Sequence, residues 1–194
     1  YISISGFTDV FTVPDDQKSA LTQSELLESG KIYIQNISSM LPVLALDGSD
    51  QDWILDMTAA PGGKTILIAD ILKNRGRISA VEAVKHRFHR LQSMLKKYSV
   101  NNVTCYLKDS KRLWHSCKEK FDKILLDAPC SSESRFRADQ PKTYRYWSIK
   151  KINEMNRKQK QLLYQSHKIS FLVFGWSVLF CYLYKVLLIS YPKN

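Results

Sequence analysis

WILDMTAAPGGKTILIADILK, residues 53–73, holds a short apolar run, a loop of small residues and a second apolar run at helical spacing. WILDM (53–57) reads as a buried strand and KTILIADILK (64–73) as the helix that follows it. Between them, alanine and glycine let a ligand approach the backbone. A helix beginning near Lys64 presents unpaired N–H groups and the positive end of its dipole. The ending GGKT resembles a phosphate-binding loop, but that pattern needs glycine five residues before Gly63. The position holds Thr58, which excludes it.

Downstream the alternation continues. RISAV (77–81) reads as a strand, and HRFHRLQSMLKKY (86–98) as a helix with Phe88, Leu91, Leu95 and Tyr98 on one stripe. NVTCYL (102–107) and DKILLD (122–127) are further strands, and a basic, helix-prone segment runs from about Ser148 to 168. Strands joined by crossover helices predict an α/β, Rossmann-like domain, a mostly parallel sheet flanked by helices. Glu82 ends the second strand, where a carboxylate accepts hydrogen bonds from ribose hydroxyls; Asp109 follows the third and is placed to face an adenine amino group. Asp127 ends the fourth, directly before Ala128-Pro129-Cys130. Each carboxylate alone reads as a turn cap. Together they gather at the carboxyl edge of the sheet, where ligands of such folds bind.

The combination of DMTAAPGGKT (56–65) with LLDAPCSS (125–132), preceded by YIQNISSMLP (33–42), resembles the Sun/RsmB-like family of S-adenosylmethionine-dependent RNA cytosine-5 methyltransferases, whose bacterial members modify ribosomal RNA. The likeness runs from about Gly30 to His167. It implies a class I methyltransferase core whose S-adenosylmethionine site is lined by Thr58, Ala59, Ala60, Pro61, Gly62, Gly63, Lys64, Glu82, Arg87, Asp109 and Asp127. It also implies covalent catalysis, in which a cysteine thiolate adds to carbon 6 of cytosine and makes carbon 5 nucleophilic towards the S-methyl group. Asp127 would hold the ring nitrogen and exocyclic amine, Lys64 would polarise that region or position the cofactor, and Cys130 matches the cysteine associated with product release. The DNA cytosine-5 enzymes, which attack from a Pro-Cys motif, leave Cys130 open as nucleophile itself.

The family's attacking cysteine belongs in a later strand reading approximately LKPGG-x-L-x-Y-x-TC. Laid on the tail, that pattern puts Gly175 and Trp176 on the glycine pair and Leu183 in the cysteine slot. Tyr182-Leu183-Tyr184 can be written TAC-TTG-TAC, which one base later reads Thr-Cys. A frameshift or unusual splice near 168–184 is therefore expected to explain the apolar ending and the stop at Asn194, and the sheet is expected to be incomplete there if the tail does not join it. The other reading is a relative that binds cofactor and RNA without methylating.

The charge pattern fits a nucleic-acid partner. Residues 1–60 hold two basic residues against nine acidic ones, whereas 61–194 hold 27 basic and nine acidic, within a chain of 194 residues and net charge +11. That field favours polyanions such as RNA. Arg135, Arg137, Lys142, Arg145, Lys150, Lys151, Arg157, Lys158 and Lys160, interleaved with Phe136, Tyr144, Tyr146 and Trp147, would contact phosphates and stack on unpaired bases. Cys105, Cys117, Cys130 and Cys181 show neither zinc spacing nor a disulfide framework, which excludes a metal site and predicts a cytoplasmic protein. Residues 169–191 are long and apolar enough to span a membrane, but Gly175, Lys185 and the many aromatic and β-branched residues speak for strands. The expected organisation is an N-terminal extension at 1–52 packing on the core, a cofactor-binding core at 53–168 and an aberrant tail at 169–194, acting as a monomer. The start at Tyr1, with no initiator Met and no secretory leader, is expected to mark a fragment.

Overall fold

The computed structural model describes residues 2–3, 10–117, 120–130, 136–169, 177–181 and 186–190. The chain forms two compact units, 1–35 and 36–194. In the first, β1 (Ile2–Ser3) pairs antiparallel with β2 (Phe11–Thr12), followed by α1 (Asp15–Thr22) and α2 (Glu25–Glu28). The Ser24 side chain caps α2 by accepting the Leu27 N–H at 3.3 Å. This acidic segment reads as loop in the sequence because its helices are short and carry no apolar stripe.

The second unit begins with α3 (Ile37–Ala45) and continues β3 (Trp53–Asp56), α4 (Gly63–Ile71), β4 (Arg77–Glu82), α5 (Lys85–Lys97), β5 (Val103–Leu107), α6 (Trp114–Cys117), β6 (Lys123–Asp127), α7 (Ile149–Ile169), β7 (Ser177–Cys181) and β8 (Val186–Ser190). The sequence assigns α3 to the extension at 1–52, yet it belongs to this unit. Asn36 caps α3 by accepting the Ser38 N–H, and Val43 and Leu46 then pack on Ile54, Ile68 and Leu72. Pro42 inside the helix hides it from a propensity reading, because proline removes a helical N–H.

One six-stranded sheet runs in the order β5-β4-β3-β6-β8-β7. The first four are parallel, with Ile54 opposite Ile78 on one side and Lys123 on the other. Beyond β6 the tail continues the sheet, β8 lying antiparallel to β6 and β7 antiparallel to β8. Among the described residues no helix is long and apolar enough to cross a membrane.

The central strands β3, β4 and β6 are largely apolar through their middles because both faces are covered, whereas the edge strand β5 leaves Thr104, Tyr106 and Leu107 exposed. Successive side chains of a strand point to opposite faces. Ile54, Ile78 and Leu125 accordingly join the core under α3 and α4, while Leu55, Val81, Ile124 and Leu126 join a second core with Leu113, Leu162 and Ile169. The result is three layers, helix on sheet on helix. All four parallel strands therefore deliver their carboxyl ends to one edge.

The turn from α4 into β4 depends on Gly76. Its φ is +64°, and a Cβ there would lie 2.9 Å from the Asp52 carbonyl oxygen. Gly76→Ala is expected to cost at least about 1–2 kcal/mol, read as a lowered urea midpoint with unchanged m-value.

Candidate active site

Asp56 ends β3 with a buried carboxylate, 1% exposed. The Thr65 hydroxyl on α4 donates to its Oδ2 at 2.7 Å, and the Thr58 N–H donates to Oδ1 at 3.3 Å. The carboxylate thus clasps both ends of the loop 57–62. The same loop is tied to every neighbouring strand. Met57 N–H donates to Leu125 O, Ala59 N–H to Val81 O, and the Thr58 hydroxyl to Asp127 O at 2.8 Å. The Ser110 hydroxyl donates to Met57 O.

Gly62 starts α4 with φ +116°, and a Cβ there would meet Leu91 Cδ1 of α5 at 3.1 Å. Its glycine is thus required by helix packing and backbone conformation. Gly63 is buried at the first position of α4, and Ala59 and Ala60 are buried before it, while Pro61 is exposed after a cis Ala60–Pro61 bond. A helix start of this kind offers N–H groups to a carboxylate.

Lys64 leaves this helix start to meet Asp127 at the end of β6, Nζ to Oδ2 2.5 Å, with side-chain exposures of 17% and 35%. Glu82, 4% exposed, accepts the Val84 N–H through Oε1 at 2.9 Å and pairs through Oε2 with Arg87 at 3.3 Å. Arg87 also donates to Ala60 O at 2.6 Å, so one guanidinium bridges the loop and the β4 end. Asp109 behaves differently. Its carboxylate caps the 3-10 turn Ser110–Arg112 through the Lys111 N–H and pairs with Lys111 Nζ at 3.1 Å. Cys130 is half-buried on the turn after β6, next to Pro129, whose carbonyl accepts Gln159 Nε2 of α7 at 2.8 Å.

The structure thus joins Thr58, Lys64 and Asp127 in one cluster and Ala60, Glu82 and Arg87 in an adjoining one, with Asp109 engaged by Lys111. Sequence reading passed over Asp56, Thr65, Ser110 and Gln159. Asp56 stands inside the quoted motif at a strand end, which is a usable signal; Gln159 on a polar helix carries none. In the basic segment, Arg145 lies 4.5 Å from the Tyr146 ring centroid, and Phe136 contacts Tyr144 and Trp147. Tyr146 is 74% exposed. Leu183 and Arg135 lie outside the described residues. Among the described residues no group of three or more His, Cys, Asp or Glu is placed to hold a metal.

A parallel sheet with a glycine loop after its central strand and acidic groups at the neighbouring strand ends defines the class I methyltransferase fold. Within that class, the chain belongs to the 16S rRNA methyltransferase RsmB/F family, whose model matches residues 43–178. It is 43% identical over 139 residues to the ribosomal RNA small subunit methyltransferase F of Aeromonas salmonicida, covering 70% of this chain and 29% of that protein. It is 34% identical over 157 residues to the tRNA (cytosine(72)-C(5))-methyltransferase of Pyrococcus horikoshii, covering 81% of this chain and 39% of that protein. The crystal structure of NSun6 from Pyrococcus horikoshii with SFG superposes with a TM-score of 0.70 at 34% identity, over 81% of this chain and 39% of that one. The chain therefore spans well under half the length of these relatives.

Burial pushes the Asp56 carboxyl from its ordinary 3.8 up to about 6, against hydrogen bonds from Thr65 and Thr58 and the charge of Lys64, with Asp127 adding to the rise. A carboxyl raised by folding favours the fold most below its unfolded value, and that contribution is lost as pH rises through its folded value. Between pH 3.8 and above 6 the loss amounts to on the order of 3 kcal/mol. Asp56→Asn is expected to flatten this part of the urea stability profile; an unchanged slope would show that Asp56 does not titrate in the fold.

Proposed function

We propose that this chain is the S-adenosylmethionine-binding and methyl-transfer core of an RNA cytosine-5 methyltransferase. The observation that carries the reading is the Lys64–Asp127 ion pair, which joins the glycine loop to the Asp-Ala-Pro-Cys turn. One side of that pair belongs to the cofactor, the other to the target base.

The residues present fit the cofactor. The start of α4 and the loop Thr58–Gly63 would take its carboxylate end, and Glu82 its ribose hydroxyls. Arg87 holds Glu82 and Ala60 in register for that contact. Asp109 would receive the adenine end once released from Lys111. Bound there, S-adenosylmethionine supplies an electrophilic methyl group. On the base side, Lys64 keeps Asp127 oriented, and the Thr58 hydroxyl fixes the backbone beneath it. Asp127 would engage the ring nitrogen and exocyclic amine of cytosine, stabilising charge as a thiolate adds to carbon 6; with Leu183 in the family's attacking-cysteine slot, that thiolate would be Cys130, three residues after Asp127. Loss of the carbon 5 proton to a base and departure of the Cys130 thiolate from carbon 6 would then free the methylated base. The exposed aromatics Tyr144, Tyr146 and Trp147 with Arg145 support an RNA partner. Ribosomal RNA is the substrate to test first, because relatives at 43% and 38% identity are named as ribosomal RNA methyltransferases. The same reading takes the protein to work as a monomer in the cytoplasm without a metal.

Calorimetry is expected to show S-adenosylmethionine binding by the parent chain, weakened at least roughly tenfold in Glu82→Gln by loss of a charged hydrogen-bond acceptor. A parent chain that does not bind would sink the cofactor assignment. Tritiated-methyl transfer to unmodified ribosomal RNA is expected, with Asp127→Asn slower by roughly 10²–10⁴. Binding of both partners without transfer would identify a non-catalytic relative.

A further inference from the structure

An open groove of about 480 Å³ runs between the 3-10 turn Ser110–Arg112 and α7, lined by Asp109, Lys111, Arg112, Lys160, Tyr164 and two glutamines. Its cations differ in how they are engaged. Lys111 is neutralised by Asp109, and elsewhere on α7 Glu154 takes both Lys151 and Lys158. The side chains of Arg112 and Lys160 make no hydrogen bond or ion pair among the described residues. Both are exposed. Tyr164 stands one helical turn beyond Lys160 and is 56% exposed, with Lys168 Nζ 5.4 Å from its ring centroid.

Two uncommitted cations facing each other across a groove, with an open aromatic ring beside them, suit a phosphodiester strand with an unpaired base. Asp109, at one end of the lining, is the proposed adenine contact, whereas Arg112 and Lys160 suit S-adenosylmethionine poorly, since the sulfonium and amine of that molecule are themselves positive. The groove also sits close in sequence to the proposed chemistry. Gln159, adjacent to Lys160, is the α7 residue bonded to Pro129 beside Cys130.

We infer that this groove is a single-stranded RNA subsite, in which Arg112 and Lys160 contact successive phosphates and Tyr164 carries one unpaired base. The inference rests on the RNA-methyltransferase reading and adds a defined path for the strand along α7.

The test is fluorescence anisotropy of the full chain with a labelled single-stranded RNA across a salt series. Arg112→Ala with Lys160→Ala is expected to reduce the slope of log affinity against log salt by about 1.4. Tyr164→Ala is expected to weaken binding roughly tenfold while leaving the slope unchanged. Lys73→Ala with Lys96→Ala, exposed cations elsewhere, is expected to change the slope less. Equal effects from both pairs would reduce the groove to general electrostatic attraction and overturn the inference. So would loss of S-adenosylmethionine binding in the groove variants, measured by calorimetry, which would assign the groove to the cofactor. RNA binding by the parent that is indifferent to all three groove residues rejects the subsite and leaves the proposed function standing. No RNA binding by the parent rejects both.

Discussion

The buried carboxylate of Asp56 holds the architecture of the strand-end edge together. It receives the Thr65 hydroxyl from α4 and the Thr58 N–H from the loop, so the last residue of β3 fixes where the next helix starts. Burying a carboxyl costs free energy, and the hydrogen bonds to both oxygens offset part of that cost here. From that point the loop has no freedom to drift. Further polar groups of the loop bond to β4, β6, Ser110 and Arg87, and Gly62 lets α4 settle against Leu91 of α5. The proposed cofactor cradle is a consequence of this clasp.

Turn caps and ligand groups need not be alternatives. Glu82 and Asp109 each accept a backbone N–H two residues on, and each also pairs with a cation. One oxygen secures the side chain's direction and the other meets a cation. This division pre-organises a carboxylate for a ligand while keeping it satisfied in the ligand's absence. Asp127 follows the same logic through Lys64, whose charge reaches it from a different strand–helix unit.

The central α/β alternation was legible in the sequence, because β3, β4 and β6 carry apolar runs covered on both faces and α5 repeats at helical spacing. RISAV became β4 with one added residue, and HRFHRLQSMLKKY became α5 within a residue at either end. What escaped was short or broken. α3 contains Pro42 and only nine residues, so its place in the core is set by Val43 and Leu46 meeting Ile54, Ile68 and Leu72. The antiparallel return of β8 against β6 was equally hidden, since a continuous apolar run does not state its direction.

The sequence by itself determined the class of fold and the residue types of the candidate site. The loop DMTAAPGGKT, the acidic strand ends and Asp-Ala-Pro-Cys are local patterns: their spacing marks a ligand-binding edge, and their resemblance to a known family implies the chemistry. Tertiary structure alone decided the partners. Lys64 meets Asp127 across 63 positions, Arg87 reaches back 27 to Ala60, and Gln159 reaches back 30 to Pro129. Those pairings depend on strand order and register, which bring distant strand ends to one edge, and no local pattern encodes them.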